Sequence, residues 1–259
     1  MCKLNCHRVK LINEKVMRTL KIISGFTGIV FLALFNSGCR KDHWPCSLHG
    51  EGPVVTETRT VSNFSGVRLK IDANVHISKD SVQELSISAQ QNIIDNMETY
   101  VTGNLLTIDF DRNVKHHLPI DVYIKIPMLS KIQIDGSGNV NTSGDFSESS
   151  VDLEINGSGS INGNFFASSI SSQISGSGDI SLTGTANNHY AEIDGSGNIY
   201  SYGLVTDHTN VDISGSGNSE VYVNQTLDVK ISGSGNVYYK GHPSVTVNVS
   251  GSGSVINKN

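Results

Sequence analysis

Residues 134–140 read Ile134-Asp135-Gly136-Ser137-Gly138-Asn139-Val140, and this stretch decides the fold because the chain repeats it. Seven copies of Gly-Ser-Gly follow one another, with steps of 21, 19, 19, 20, 18 and 18 residues. They begin at Gly136, Gly157, Gly176, Gly195, Gly215, Gly233 and Gly251. A fixed period of about 20 residues is typical of a solenoid, in which each unit buries its apolar face only by stacking on its neighbours.

Apolar residues flank the copies at two fixed positions. Two residues before the first glycine stand Ile134, Ile155, Ile174, Ile193, Ile213, Ile231 and Val249. Four residues after it stand Val140, Ile161, Ile180, Ile199, Val237 and Val255, with Ser219 as the exception. This alternation, rich in β-branched residues, predicts strands with one buried and one exposed face. We expect the isoleucines to stack in an internal column with a spacing of about 4.8 Å.

The paired glycines predict a corner in the chain. Two glycines inside an alternating run weaken a strand unless the backbone bends or closely approaches another backbone there. Short strands joined by tight corners predict an all-β, single-stranded parallel β-helix. Residues 131–259 would form about seven turns of this helix, each with one Gly-Ser-Gly copy, and we call each turn a rung. An antiparallel barrel of 18–21-residue hairpins is the alternative. Residues 54–130 read as strands without the glycine repeat and predict an irregular β-rich cap over the first rung.

The first 38 residues predict a leader and not part of the fold. Starting from Met17, which we expect to be the true initiator, basic residues precede an apolar run over residues 22–35 and small residues before Cys39. This order resembles a bacterial lipoprotein signal with Cys39 as the acylated residue. The alternative, a transmembrane anchor, needs an apolar run of about 20 residues. Residues 39–53 then form a polar tether between the lipid and a domain over residues 54–259.

Charge excludes one class of partner. Residues 1–38 hold six of the 19 Lys and Arg residues and one of the 24 Asp and Glu residues, so the remainder carries a net charge of −10. Residues 132–259 contain three lysines and twelve acids. Nucleic-acid binding requires a basic stripe, so nucleic acid is excluded as a partner. Outside the leader only Cys39 and Cys46 remain, which gives no disulfide framework.

Three motifs, in order, resemble the head GIN domain family of auto-transporter adhesins. Residues 61–67 read Val-Ser-Asn-Phe-Ser-Gly-Val, residues 75–77 read Val-His-Ile, and residues 126–132 read Ile-Pro-Met-Leu-Ser-Lys-Ile before the first repeat. The resemblance covers about residues 55–255. It implies a right-handed β-helix on a lipoprotein of the cell envelope, at the outer membrane and facing the cell surface or the periplasm. It also implies an adhesin-like function without catalytic residues, and it leaves the ligand open.

Four tyrosines are the candidate binding surface. Tyr200 and Tyr238 stand five residues after the first glycine of their copies, and Tyr202 and Tyr222 stand seven residues after it. If the alternation continues past the corner, all four face outward, where aromatic rings stack on sugars and contact proteins. If the corner resets the alternation, they fill the interior instead.

Metal binding and catalysis are two further functions to consider for the repeats. A polar ladder that includes Asp135, Asn156 and Asp194 has too few carboxylates at one site for Ca²⁺, so we expect no metal and no cofactor. A polysaccharide-active β-helix enzyme is a further alternative, but it requires a catalytic base, and residues 132–259 contain only three lysines and no arginine. The sequence therefore predicts a non-enzymatic, membrane-anchored binding module for a glycan or a protein. The alternative is an envelope scaffold that self-associates weakly through the last rung.

Overall fold

The computed structural model describes residues 47–259, of which Leu48–Asn259 form one compact unit. The N-terminal part contains β1 (Val54–Arg59), β2 (Gly66–Leu69), β3 (Asn74–Lys79), β4 (Glu84–Gln90), α1 (Gln91–Ile94), β5 (Met97–Thr102), β6 (Leu105–Phe110) and β7 (Asp121–Ile126). The repeats contain β8 (Lys131–Ile134), β9 (Asn139–Ser143), β10 (Phe146–Gly157), β11 (Ser160–Gly176), β12 (Asp179–Gly195), β13 (Asn198–Gly215), β14 (Asn218–Gly233), β15 (Asn236–Lys240), β16 (Ser244–Gly251) and β17 (Ser254–Asn257).

The repeats form a parallel β-solenoid of about seven turns, as the sequence predicts. Each long strand pairs in parallel with the strand one repeat later, from β10 with β11 through to β14 with β15 and β16. The register advances by one repeat at each step, so that equivalent residues of successive copies lie side by side. Because every pairing among β8–β17 is parallel, the antiparallel barrel is wrong.

The Gly-Ser-Gly corners lie directly on one another, and this contact explains why both glycines are needed. Gly176 has φ +135°, and a Cβ atom on it would collide with the carbonyl oxygen of Gly157 in the previous corner. A Cβ atom on Gly178 would lie 2.5 Å from the carbonyl oxygen of Gly159. The backbone N–H of Ser177 donates to the same Gly157 oxygen at 2.9 Å. The corners therefore form a hydrogen-bonded ladder that has no room for side chains at either glycine.

The predicted isoleucine column is confirmed. The register places Ile134, Ile155, Ile174, Ile193, Ile213, Ile231 and Val249 in one line. The six isoleucines are at most 1% exposed, whereas Val249 in the last rung is 37% exposed. The second column, from Val140 to Val255, runs beside it and contains the buried Ser219.

The N-terminal part caps the first rung of the repeats, in agreement with the prediction of an irregular β-rich cap. Strands β2 and β3 form a rung of their own, which lies between the pair β6–β7 and the pair β8–β9. Strands β4, β1 and β5 then cover this end by antiparallel pairing with β7, β4 and β6. The order of rungs in space thus differs from their order in the sequence.

Part of the range that the sequence assigns to a tether is bound to the cap. Leu48 forms a parallel bridge with Val114, and its N–H donates to the carbonyl of Asn113 at 3.0 Å. The Gln90 side chain donates from Nε2 to the carbonyl of Gly52 at 3.1 Å. The chain is therefore attached to the folded unit from Leu48 onward.

Candidate binding surface

The four candidate tyrosines face outward. In β13, Ile199 and Ser201 are buried, while Tyr200 between them is 41% exposed. In β14, Val221 and Val223 are buried on either side of the half-buried Tyr222. The alternation thus continues past the corner, which selects the outward orientation from the two that the sequence left open. We call Tyr200, Tyr202, Tyr222 and Tyr238 the tyrosine patch.

The strand register brings the tyrosine patch together on three adjoining rungs. Tyr200 lies beside Glu220, and Glu220 lies beside Tyr238, so the two tyrosines belong to one outward column with a carboxylate between them. Tyr222 lies beside Lys240 in the next column. Tyr202 lies where the register between β13 and β14 shifts, between Ser201 and Val205. The patch therefore combines aromatic rings with charges of both signs.

Two lysines that were not predicted as part of the binding surface lie against the tyrosine patch. Nζ of Lys240 lies 4.5 Å from the ring centroid of Tyr202, and Nζ of Lys258 lies 5.3 Å from that of Tyr238. Both distances are those of a cation–π contact. The sequence does indicate their position, because Lys240 and Lys258 stand seven residues after the first glycine of their copies, as Tyr202 does. Lys240 and Lys258, two of the three lysines in residues 132–259, therefore contact the tyrosine patch.

The hydroxyls of Tyr200 and Tyr202 are neutral donors at physiological pH. Burial raises the pKa of Tyr200, and the nearby carboxylates of Asp179 and Glu220 raise it further. The pKa of Tyr202 is raised by burial and then by Glu220 and Tyr238. Neutral phenols, ammonium groups and a carboxylate can hydrogen-bond a ligand while the rings contact its apolar surface. The tyrosine patch and its charged neighbours could therefore bind a ligand that has both hydroxyl or amide groups and an apolar face.

The polar ladder also includes Asp179, Asn198, Asn218 and Asn236, each three residues after the first glycine of its copy, and it is held together by its own hydrogen bonds. The Nδ2 atoms of Asn218 and Asn236 donate to the Oδ1 atoms of Asn198 and Asn218, at 3.1 Å and 3.2 Å. Asn198 donates in the same way to Asp179 at 2.9 Å. The ladder therefore stabilises the corners, as Asn and Ser side chains commonly do in turns. Within residues 47–259, no three His, Cys, Asp or Glu side chains are grouped so that they could hold a metal ion.

The solenoid also contains a buried titratable group. The side chain of His189 is 1% exposed, and its Nε2 lies 3.1 Å from Oγ of Ser172. Its Nδ1 has no hydrogen-bond partner within the described part of the chain. Burial lowers the pKa of His189 to about 4, so the imidazole is neutral at physiological pH.

The proposed lipidation site, Cys39, lies outside the described residues. Within residues 47–259, no helix is both long enough and apolar enough to cross a membrane.

Comparison with known families decides the relationship. The model of a family described as "Putative auto-transporter adhesin, head GIN domain" matches residues 63–243. The chain belongs to the head GIN domain family. The sequence resemblance is thereby confirmed, because the matched residues include most of the cap and six of the seven Gly-Ser-Gly copies. None of the curated proteins matches this sequence.

Solved structures share the fold of this head GIN domain. A protein described as a putative adhesin from Bacteroides fragilis superposes with a TM-score of 0.77 at 22% identity, over 82% of this chain and 100% of its own. A putative adhesin from Parabacteroides distasonis gives a TM-score of 0.68 at 22% identity, over 82% and 100%. A protein described as a putative lipid binding protein, also from Parabacteroides distasonis, gives 0.64 at 23% identity, over 83% and 100%. At these identities the likeness shows the fold alone.

Proposed function

We propose that this head GIN domain is a non-enzymatic binding module of the adhesin type, which contacts its ligand through the tyrosine patch. The observation that carries the proposal is the outward position of four tyrosines on three adjoining rungs, with Lys240 and Lys258 against two of the rings. Aromatic rings and hydrogen-bonding charged groups on one surface are what glycan and protein ligands require. The adhesin description of the family agrees with this role.

The proposal includes attachment to the outer membrane through a lipid on Cys39. The order of basic, apolar and small residues before Cys39 supports the anchor. Mass spectrometry of the mature N-terminus tests it, and we expect a chain that begins at an acylated Cys39. An unmodified Cys39 or a retained leader would remove the anchor from the proposal.

Substitution in the tyrosine patch tests the binding function. We expect Tyr200→Ala combined with Tyr238→Ala to weaken binding to at least one target that the unmodified protein binds in a screen with arrayed glycans and immobilised matrix proteins. The variant loses two ring faces that a ligand would bury, and a ring that stacks on another aromatic group contributes about 0.5–1.5 kcal/mol beyond its buried area. Tyr100→Ala is the matched control, because Tyr100 is 46% exposed in β5 of the cap. If the patch variant and the control bind every target equally, and the thermal unfolding of both is unchanged, the proposed surface is refuted.

A second candidate function is an envelope scaffold, and the last rung favours it. Among the described residues, β16 and β17 pair with strands on one edge only, and Val247 and Val249 are 49% and 37% exposed. Unpaired strand edges with exposed apolar residues pair with other chains unless charge or a cap prevents it. A second copy of the chain could therefore bind at this edge.

A further inference from the structure

A shallow groove lies on the wall of the solenoid that precedes the Gly-Ser-Gly corners, whereas the tyrosine patch lies on the strands that follow them. The groove has a volume of about 370 Å³ and crosses β12, β13, β14 and β16. Ala191, Val211 and Val229 point into the core, so the strand backbone forms the floor. The outward side chains that line the groove include Tyr190, Glu192, Asn210, Asp212, Asp228 and Lys230.

The register arranges these side chains in two columns. Tyr190, Asn210, Asp228 and Thr246 follow one another in the first column, one in each rung. Glu192, Asp212 and Lys230 follow one another in the second. Three steps of roughly 4.8 Å separate Tyr190 from Thr246, so the first column is about 14 Å long. The groove is therefore elongated along the solenoid axis.

Several of these groups are available to a ligand. Tyr190 is 52% exposed. Nζ of Lys230 donates to Oδ2 of Asp212 at 2.7 Å, and Gln173 donates to Oε2 of Glu192 at 3.1 Å. Within residues 47–259, neither Tyr190 nor Asp228 has a hydrogen bond from its side chain to another side chain. The groove thus presents one open aromatic ring and one unpaired carboxylate, two rungs apart.

The lining favours a sugar over a protein segment. Protein interfaces concentrate apolar and aromatic side chains and deplete charged ones at their centre, whereas Tyr190 is the only large apolar side chain that faces out along this groove within the described residues. Carboxylate and amide oxygens accept hydrogen bonds from hydroxyl groups, and an exposed ring offers a flat apolar face. Three carboxylates and one ammonium give the groove a net charge of −2, which repels uronate, sulfate and phosphate groups.

We propose that this groove is a binding site for an uncharged oligosaccharide, with Tyr190 stacking on one sugar ring and Asp228 accepting hydrogen bonds from hydroxyl groups. The proposal names a second surface and does not depend on the tyrosine patch.

Calorimetric titration of the purified full chain tests the groove. The probes are uncharged tetrasaccharides of β-1,4-linked glucose, β-1,4-linked mannose, β-1,3-linked glucose and β-1,4-linked N-acetylglucosamine, together with anionic tetragalacturonate. We expect at least one uncharged tetrasaccharide to bind and tetragalacturonate to bind more weakly or not at all. Loss of the stacked ring in Tyr190→Ala should weaken binding about tenfold, and Tyr190→Phe should retain it. Asp228→Ala tests the carboxylate independently and should weaken binding several-fold.

Tyr100→Ala is again the matched control and should bind like the unmodified protein, because Tyr100 is similarly exposed but lies in the cap. Three results would overturn the proposal. They are no binding of any uncharged tetrasaccharide, tighter binding of tetragalacturonate, or binding that both Tyr190→Ala and Asp228→Ala leave unchanged. Failure of the tyrosine patch in the screen with arrayed glycans and matrix proteins would not affect these titrations, so the two proposals fail separately.

Discussion

His189 shows at the residue scale how one buried polar side chain affects stability. Its neighbours in the same inward column are Ile170 and Thr209, and its pKa is lowered by burial to about 4 from an ordinary value of 6.5. Between these two values the unfolded chain binds a proton that the folded chain does not. The proton-linked loss of stability is therefore absent above pH 6.5, and stability falls as the pH drops from 6.5 toward 4.

We expect the free energy of unfolding to fall by roughly 2–3 kcal/mol through this residue between pH 7.5 and pH 4.5. His189→Leu, which matches the apolar residues of the column, should remove that part of the pH dependence. Urea denaturation at both pH values measures it, with His242→Gln at an exposed histidine as the control. Equal losses of stability in the unmodified protein and in His189→Leu would contradict the assignment.

Ser219 is a second buried polar residue, and its replacement should stabilise the protein. It lies between Ile199 and Val237 in a column that has Val or Ile in the other six copies, and its Oγ has no hydrogen-bond partner in the described residues. Ser219→Val should raise the free energy of unfolding by about 1 kcal/mol, because an unpaired buried hydroxyl is costly.

Ser201 provides the contrast to Ser219, because its buried Oγ donates to the carbonyl of Glu220 at 2.6 Å. Ser201→Ala should therefore destabilise the protein by about 1 kcal/mol. Thermal unfolding of both variants measures the difference, and a lower melting temperature for Ser219→Val would contradict the prediction.

At the scale of the element, each rung is stabilised by its place in the isoleucine column. Ile193 is fully buried between Ile174 and Ile213, so Ile193→Ala should cost roughly 2–5 kcal/mol through lost burial and the cavity that remains. Val249 is 37% exposed at the end of the column, and Val249→Ala should cost less than about 1 kcal/mol. Denaturant melts of the two variants measure this gradient, and equal small losses would mean that the column is not the core.

The elements differ in how far the sequence could predict them. The repeat rungs were predictable because each copy carries the same glycine pair and the same alternation. The β2–β3 rung could not be predicted in this way, because its corner is formed by Ile71-Asp72-Ala73 and has no Gly-Ser-Gly motif. The direction of Tyr200 could not be fixed either, since it depends on the backbone path through the corner. The groove beside Tyr190 is formed by side chains from four rungs. It could not be predicted from the alternation of residues within one strand.

At the scale of the whole molecule, the open edge of the last rung predicts weak self-association. A second chain that pairs with β16 would cover Val247 and Val249, while the acidic walls oppose side-by-side contact. We expect sedimentation of the purified protein to depend on its concentration and Val247→Lys combined with Val249→Lys to abolish that dependence. Val82→Lys is the control, because Val82 is 68% exposed and remote in sequence from this edge. A strict monomer at high concentration, unchanged by Lys258→Ala, would remove the support for the scaffold function.

The position of the β2–β3 rung between β6–β7 and β8–β9 has a kinetic consequence. Neighbouring repeats pair across 18–21 residues, whereas β2 meets β8 across 65 residues. Closing the longer loop costs about 1 kcal/mol more conformational entropy. Strands β2 and β3 are synthesised before β6–β9 but obtain both neighbours only after β9 has been made. The repeats can therefore assemble one after another from any nucleus, and we expect insertion of this early segment to be slower than the pairing of neighbouring repeats.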